Sequence, residues 1–183
     1  MTKEEQDISD VIRGCLHENR KAQELLYRKF YRAMMTICLR YTKNDLDALE
    51  VMNSGFYKVF KNIAKYHPKQ ASIYTWIRKI IINTCLDFIS SKEKNGEVGE
   101  LNEETHIDLS PSIISKMSAD EILILVRQLP PATQAVFNLN VMEGYSHGEI
   151  AQMMKISSGT SKWHLYEARK RLQKMINDRQ INE

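Results

Sequence analysis

Hydrophobic and polar positions along this chain follow a helical period through most of its length. Residues from about 8 to 92 read as helix almost throughout. In "NDLDALEVMNSGFYKVFKNI", Ala48, Met52, Gly55, Phe56, Val59 and Ile63 fall on one side of a wheel turning 100° per residue. Glu50, Asn53, Ser54, Tyr57 and Lys61 fall on the other side. Pro68, in "KYHPKQAS", stops that helix and opens a loop. The next segment, "SIYTWIRKIIINTCLDFISSK", is apolar around most of its circumference, as expected of a helix packed on several sides. A narrow seam of Trp76, Lys79, Asn83 and Asp87 interrupts it.

The period then lapses. "NGEVGELNEETHIDLS", residues 95–110, holds five acids (Glu97, Glu100, Glu103, Glu104 and Asp108) and no Lys or Arg. Two glycines and the following Pro111 complete the signature of a flexible linker. Glu104, His106 and Asp108 are metal-ligand types, but nothing holds them in a preorganised geometry, and a solvated linker is the expectation. Periodicity resumes near Ala119, with Ser118 as N-cap of "ADEILILVRQL". A Pro-Pro break, a further helix and a stop at Gly144 follow. The expected fold is therefore all-α: a helical bundle over 8–93, an acidic linker over 94–118 and a four-helix domain over 119–177.

Composition agrees and narrows the classes. The chain is 43% hydrophobic and 27% charged with seven Gly and four Pro, which favours helices over a turn-rich β fold. Its net charge of +3 is too small to argue for nucleic acid, so any such argument rests on where the cations sit. Cys15, Cys38 and Cys85 lie far apart in apolar helical patterns, which speaks against both a zinc site and a disulfide framework. "MTKEEQDISD" lacks the apolar run of a signal peptide, and no stretch reaches membrane-spanning length. A soluble, cytoplasmic protein without metal or cofactor is expected.

One local cluster of cations lies in the C-terminal block. Ser146 and Glu149 in "SHGE" form a capping box that starts a helix near His147. This helix buries Ile150, Ala151 and Met154 and stops near Lys155; Ile156 then fills the corner and Ser157 caps the next helix. There Ser161, Leu165, Ala168 and Leu172 share one face, opposite Gly159, Trp163, Tyr166 and Lys170. Residues 162–174 carry Lys162, Arg169, Lys170, Arg171 and Lys174 against the single acid Glu167. Two capped helices around a tight turn, the second with a basic outer face, suit a helix-turn-helix whose second helix enters the major groove. The competing description is an ordinary amphipathic helix with a solvated basic face. Gly159 would let the helix start approach a phosphate closely.

"SHGEIAQMMKISSGTSKWHLYEARKRL" resembles the C-terminal helix-turn-helix domain of extracytoplasmic-function sigma factors. It keeps Glu149, Ile150, Ala151, Ile156, Ser157, Gly159, Thr160, Lys162, Leu165, Ala168, Arg169 and Leu172 of the family's EIA-x-x-LGIS-x-GTVK-x-x-x-x-RAR run. Lys155 stands where the turn usually has Gly, so a left-handed lysine is expected there at some strain cost. Ser161 stands where an apolar residue is usual. The earlier block is similar to the family's DAEDVVQETF helix at Asp47, Ala48, Val51, Phe56 and Phe60, with Asn53-Ser54-Gly55 in place of Gln-Glu-Thr and Glu50 where Asp is common. Trp76, Ile80, Asn83 and Asp87 align with the family's F-x-x-WL-x-x-IA-x-N-x-x-x-D helix.

That resemblance implies a promoter-specificity subunit of RNA polymerase, with no catalysis of its own. Ser158, Thr160, Lys162, Trp163 and Tyr166 would meet base edges or methyl groups of the upstream promoter element. Arg169, Lys170 and Arg171 would hold phosphates. Tyr66, His67, Tyr74, Trp76, Arg78 and Lys79 would supply stacking surfaces and a basic track for the opened downstream strand, with Asn83 as a hydrogen-bonding partner. Tyr66 and His67, beside a proline in a loop, are the better stacking candidates, whereas Trp76, in a nearly all-apolar helix, is expected in the core and not as a stacking platform. Asp47, Glu50, Asn53, Ser54 and Tyr57 would dock on core RNA polymerase. The implied partners are core polymerase, promoter DNA and, as is frequent in the family, a membrane-linked anti-sigma factor. A helix-turn-helix regulator that binds duplex DNA without polymerase is the alternative, and it leaves the first block unexplained. No nucleophile elbow, phosphate loop or paired carboxylates argue for an enzyme.

Overall fold

The computed structural model describes residues 3–94 and 118–181, and every regular element among them is helical. The chain divides into two compact units, Met1–Leu39 with Asn44–Cys85 and Arg40–Lys43 with Leu86–Glu183. The acidic segment, including Glu104, His106 and Asp108, lies outside the described residues.

The first unit is built from α1 (Lys3–Leu16), α2 (Arg20–Tyr41), α3 (Asp45–Asn62) and the start of α4 (Ile73–Lys94). Helix α1 begins earlier than its apolar period suggests, at a stretch whose acids suit a helix N-terminus. The apolar stripe of α3 is buried as its wheel requires: Ala48, Val51, Met52, Gly55, Phe56 and Val59 all face the core. There they join Leu26, Met34 and Ile37 of α2 and Ile77, Ile81 and Ile82 of α4. Gly55 serves close approach, because a methyl group at that position would collide with the Ile81 side chain. All three cysteines are buried, and none is in a disulfide.

Helix α3 tightens into a 3-10 turn at Ile63–Lys65 before the loop that carries Pro68. Ser72 then starts α4, accepting from the Thr75 backbone N–H at 3.1 Å.

The second unit holds α5 (Ala119–Gln128), α6 (Pro131–Phe137), α7 (His147–Met154) and α8 (Ser158–Ile181). Ser118 and Glu121 form a reciprocal capping box at α5. Pro131 occupies the first turn of α6, where its missing N–H costs nothing. Helix α6 widens into a π turn over Asn138–Met142, and Gly144 at φ +78° ends it. The core comprises Leu125, Leu129, Val136, Leu139, Ile150, Leu165, Ala168, Leu172 and Ile176. Burying a Leu, Ile or Val side chain contributes roughly 1.5–3 kcal/mol, so this short list accounts for much of the unit's cohesion.

Candidate nucleic-acid interface

Local chemistry fixes the α7–α8 corner. Ser146 Oγ accepts from the Glu149 N–H at 3.3 Å, and Glu149 Oε2 accepts from the Ser146 N–H at 2.8 Å. This box holds the Glu149 carboxyl below its ordinary pKa. Ile150 is fully buried, whereas Ala151 and Met154, expected to be buried beside it, are only partly covered. Lys155 adopts φ 57°, ψ 42°, the left-handed conformation expected of it, and the Ile156 N–H returns to the Ala151 carbonyl at 3.1 Å. Ser157 Oγ then accepts from the Thr160 N–H at 2.9 Å and shares a hydrogen bond with Thr160 Oγ1.

The unusual Ser161 has a structural explanation. Its side chain is fully buried, and its Oγ lies 2.9 Å from His147 Nδ1, so a polar bond joins α8 to the first turn of α7. A second such bond joins His164 Nδ1 to the buried Thr133 Oγ1 of α6 at 3.0 Å. Burial pushes the His164 imidazole below its ordinary pKa, with Glu167 opposing the shift. These two bonds orient α8.

With Ser161, Leu165, Ala168 and Leu172 buried, the opposite face of α8 points outward. Trp163 is 48% and Tyr166 46% exposed. Ser158, Gly159, Thr160, Lys162 and Arg169 are exposed, and Lys170 is half-buried. There is no acidic residue in the first turn of α8. Arg171 departs from the expected phosphate clamp, because its Nε donates to Glu167 at 2.6 Å and both side chains are largely covered. That pair occupies the guanidinium Nε and neutralises the charge that would attract a phosphate.

In the first unit the 66–83 cluster is less uniformly open. Tyr66, a favoured stacking candidate, is half-buried: its hydroxyl donates to the Ala71 carbonyl at 3.2 Å and its ring lies 5.6 Å from that of Trp76. The two rings brace the loop. His67, Lys79 and Asn83 are exposed, Arg78 is half-buried, and Tyr74 is exposed with its ring 6.3 Å from Phe30.

The outer face of α3 carries Glu50, Asn53, Ser54 and Tyr57, all exposed. Asp47 lies apart, bonded through its carboxylate to Asn44, the α3 N-cap, at 3.1 Å. Asn53 Oδ1 accepts from the Tyr27 hydroxyl at 3.1 Å. Sequence reasoning missed Leu46, 81% exposed, and Leu49, which share this face. Both are apolar residues out of phase with the buried stripe, and that mismatch is the signal that marks them.

A tight two-helix corner whose second helix turns a basic and aromatic face away from its own unit's core, in a chain that also carries a separate helical unit, defines a helix-turn-helix DNA-binding protein. Comparison with known proteins gives its family. Residues 26–95 match sigma-70 region 2 and residues 119–172 match sigma-70 region 4. The RNA polymerase sigma-H factor of Pseudomonas aeruginosa is 25% identical, over 96% of this chain and 96% of its own. The ECF RNA polymerase sigma-E factor of Haemophilus influenzae is 23% identical, over 86% of this chain and 89% of its own. The fold is similar to that of the sigma factor RpoE from Bartonella quintana, solved in complex with the anti-sigma factor NepR. That match has a TM-score of 0.55 and 16% identity, covering 84% of this chain and 96% of that one. The chain belongs to the sigma-70 family of RNA polymerase sigma factors and is of the extracytoplasmic-function type. Its role is that of a promoter-specificity subunit in transcription initiation, and the free-standing regulator is set aside.

Proposed function

We propose that the two units divide promoter recognition between them, with residues 8–93 and 119–177 as the working domains. Helix α8 reads the upstream element as closed duplex through Ser158, Thr160, Lys162, Trp163 and Tyr166, while Arg169 and Lys170 hold phosphates. Arg171 acts mainly as a brace through Glu167. In the first unit His67, Tyr74, Lys79 and Asn83 meet the opened downstream strand. Tyr66 and Trp76 hold the loop that presents them. Leu46, Leu49, Glu50, Asn53 and Tyr57 form the face that docks on core polymerase, an apolar and acidic mixture suited to a protein partner.

The single observation that carries this reading is the outer face of α8, opposite the fully buried Ser161 and Ala168, with half-exposed aromatics flanked by cations. The protein works in the cytoplasm, catalyses nothing itself, and is held inactive by an anti-sigma partner that covers one of these faces.

Co-elution of the purified chain with core RNA polymerase on a sizing column, without DNA, tests the docking assignment. Stoichiometric co-elution is expected, weakened by Glu50→Lys. Failure to co-elute, alongside tight sequence-selective duplex binding by the chain alone, would overturn it.

A further inference from the structure

The groove-facing line of α8 is chemically unusual for a helix that reads bases. From the helix start it runs Gly159, Trp163, Tyr166 and then Lys170, directly opposite the buried stripe. Bidentate hydrogen bonding to bases uses Arg or Lys on guanine and Asn or Gln on adenine. Residues 158–168 contain no Arg, Asn or Gln. The one acid there, Glu167, is committed to Arg171, and the Thr160 hydroxyl shares a bond with Ser157. Lys162 remains as the long cationic donor, on the flank of the line. What this face offers the groove is chiefly apolar surface.

That surface is placed and held. Gly159 has no side chain, and a methyl group there would meet only Ser157 Oγ at 3.5 Å, so the start of this line is open. The Trp163 ring meets the His164 ring edge-on, at 4.9 Å and 68°. His164 is in turn bonded to buried Thr133. The indole is therefore backed by a side chain fixed to α6. Trp163 and Tyr166 are three positions apart, so their Cβ atoms lie about 5–6 Å from one another. Base pairs rise about 3.4 Å each. That spacing would let the two rings meet neighbouring base pairs.

We infer that Trp163 and Tyr166 read the upstream element by apolar contact with the 5-methyl groups of thymine. Thymine alone among the four bases presents a methyl group on the major-groove edge, so an aromatic surface there separates it from cytosine and from both purines. Specificity is then set mainly by shape and desolvation, with Ser158, Thr160 and Lys162 adding polar contacts at its edge and Arg169 and Lys170 adding affinity without sequence. This inference rests on the proposed reading of duplex DNA by α8.

The test uses holoenzyme assembled from core polymerase and the full chain. A duplex is first selected from a randomised pool, and each thymine in it is then replaced singly by deoxyuridine, which removes only the methyl group. At one or two neighbouring positions the replacement is expected to weaken binding about fourfold, the effect of one buried methyl-sized group. The same replacement is expected to be neutral for holoenzyme carrying Trp163→Ala or Tyr166→Ala at the position that ring covers. Deoxyuridine tolerated at every position would overturn the inference, as would equal losses with and without the aromatic rings. In either case the holoenzyme still selects a duplex and the proposed function stands. A holoenzyme that selects no duplex sequence would overturn both together.

Discussion

Trp76 and Trp163 are the two tryptophans of this chain, each in a helix among cations, and the fold uses them in opposite ways. Trp76 is flanked along α4 by Ile73, Ile77 and Ile80 and faces Tyr66, so its ring closes a loop. Trp163 is flanked by Lys162, Tyr166 and Lys170 on the side of α8 away from the core, and half its surface meets solvent. A cluster of aromatic and basic residues thus has no fixed meaning. Its neighbours on the helical wheel decide whether the ring stabilises the fold or is offered to a ligand.

Substitution separates the two roles. Trp76→Ala is expected to destabilise the first unit by about 2 kcal/mol, less than the 3–5 kcal/mol of a fully buried aromatic because Trp76 is only half-covered. Trp163→Ala is expected to stay within about 0.5 kcal/mol of the parent while weakening duplex selection. Urea midpoints of the two variants measure the difference. Equal destabilisation would erase the contrast.

A smaller effect sharpens it through the residue behind Trp163. Burial lowers the native pKa of His164 from its ordinary 6.5, so the unfolded chain binds that proton more readily than the folded one. Stability is complete above about pH 6.5 and falls as the pH is lowered from there through the depressed native value. The second unit should therefore unfold at lower urea near pH 5.5 than near pH 7.5. The difference should shrink in His164→Gln, whose amide can keep a bond to Thr133. An unchanged pH dependence in that variant would show that His164 is not the group responsible.

Much of the second unit was legible because its determinants are local. The Ser146–Glu149 box, the Ser157 cap and the left-handed Lys155 each follow from residues within a few positions of one another. The apolar stripe of α3 was equally plain, since one period decides it. What escaped depends on partners distant in sequence or on competition between neighbours. The bond that makes buried Ser161 tolerable comes from His147, on another helix. Tyr66 looked available for stacking because the sequence does not reveal that Ala71 and Trp76 fold back on it. Arg171 looked like a phosphate clamp until its neighbour one turn back claimed it. Leu46 and Leu49 break the phase of the buried stripe, so the helical period alone does not mark them.

The central claim is that this chain gives RNA polymerase its choice of start site. Run-off transcription from a template carrying the duplex selected above, by core polymerase with and without the protein, tests it most directly. A discrete transcript is expected that appears only when the protein is present and disappears when the selected element is scrambled. A transcript pattern indifferent to the protein, or to the element, would contradict it.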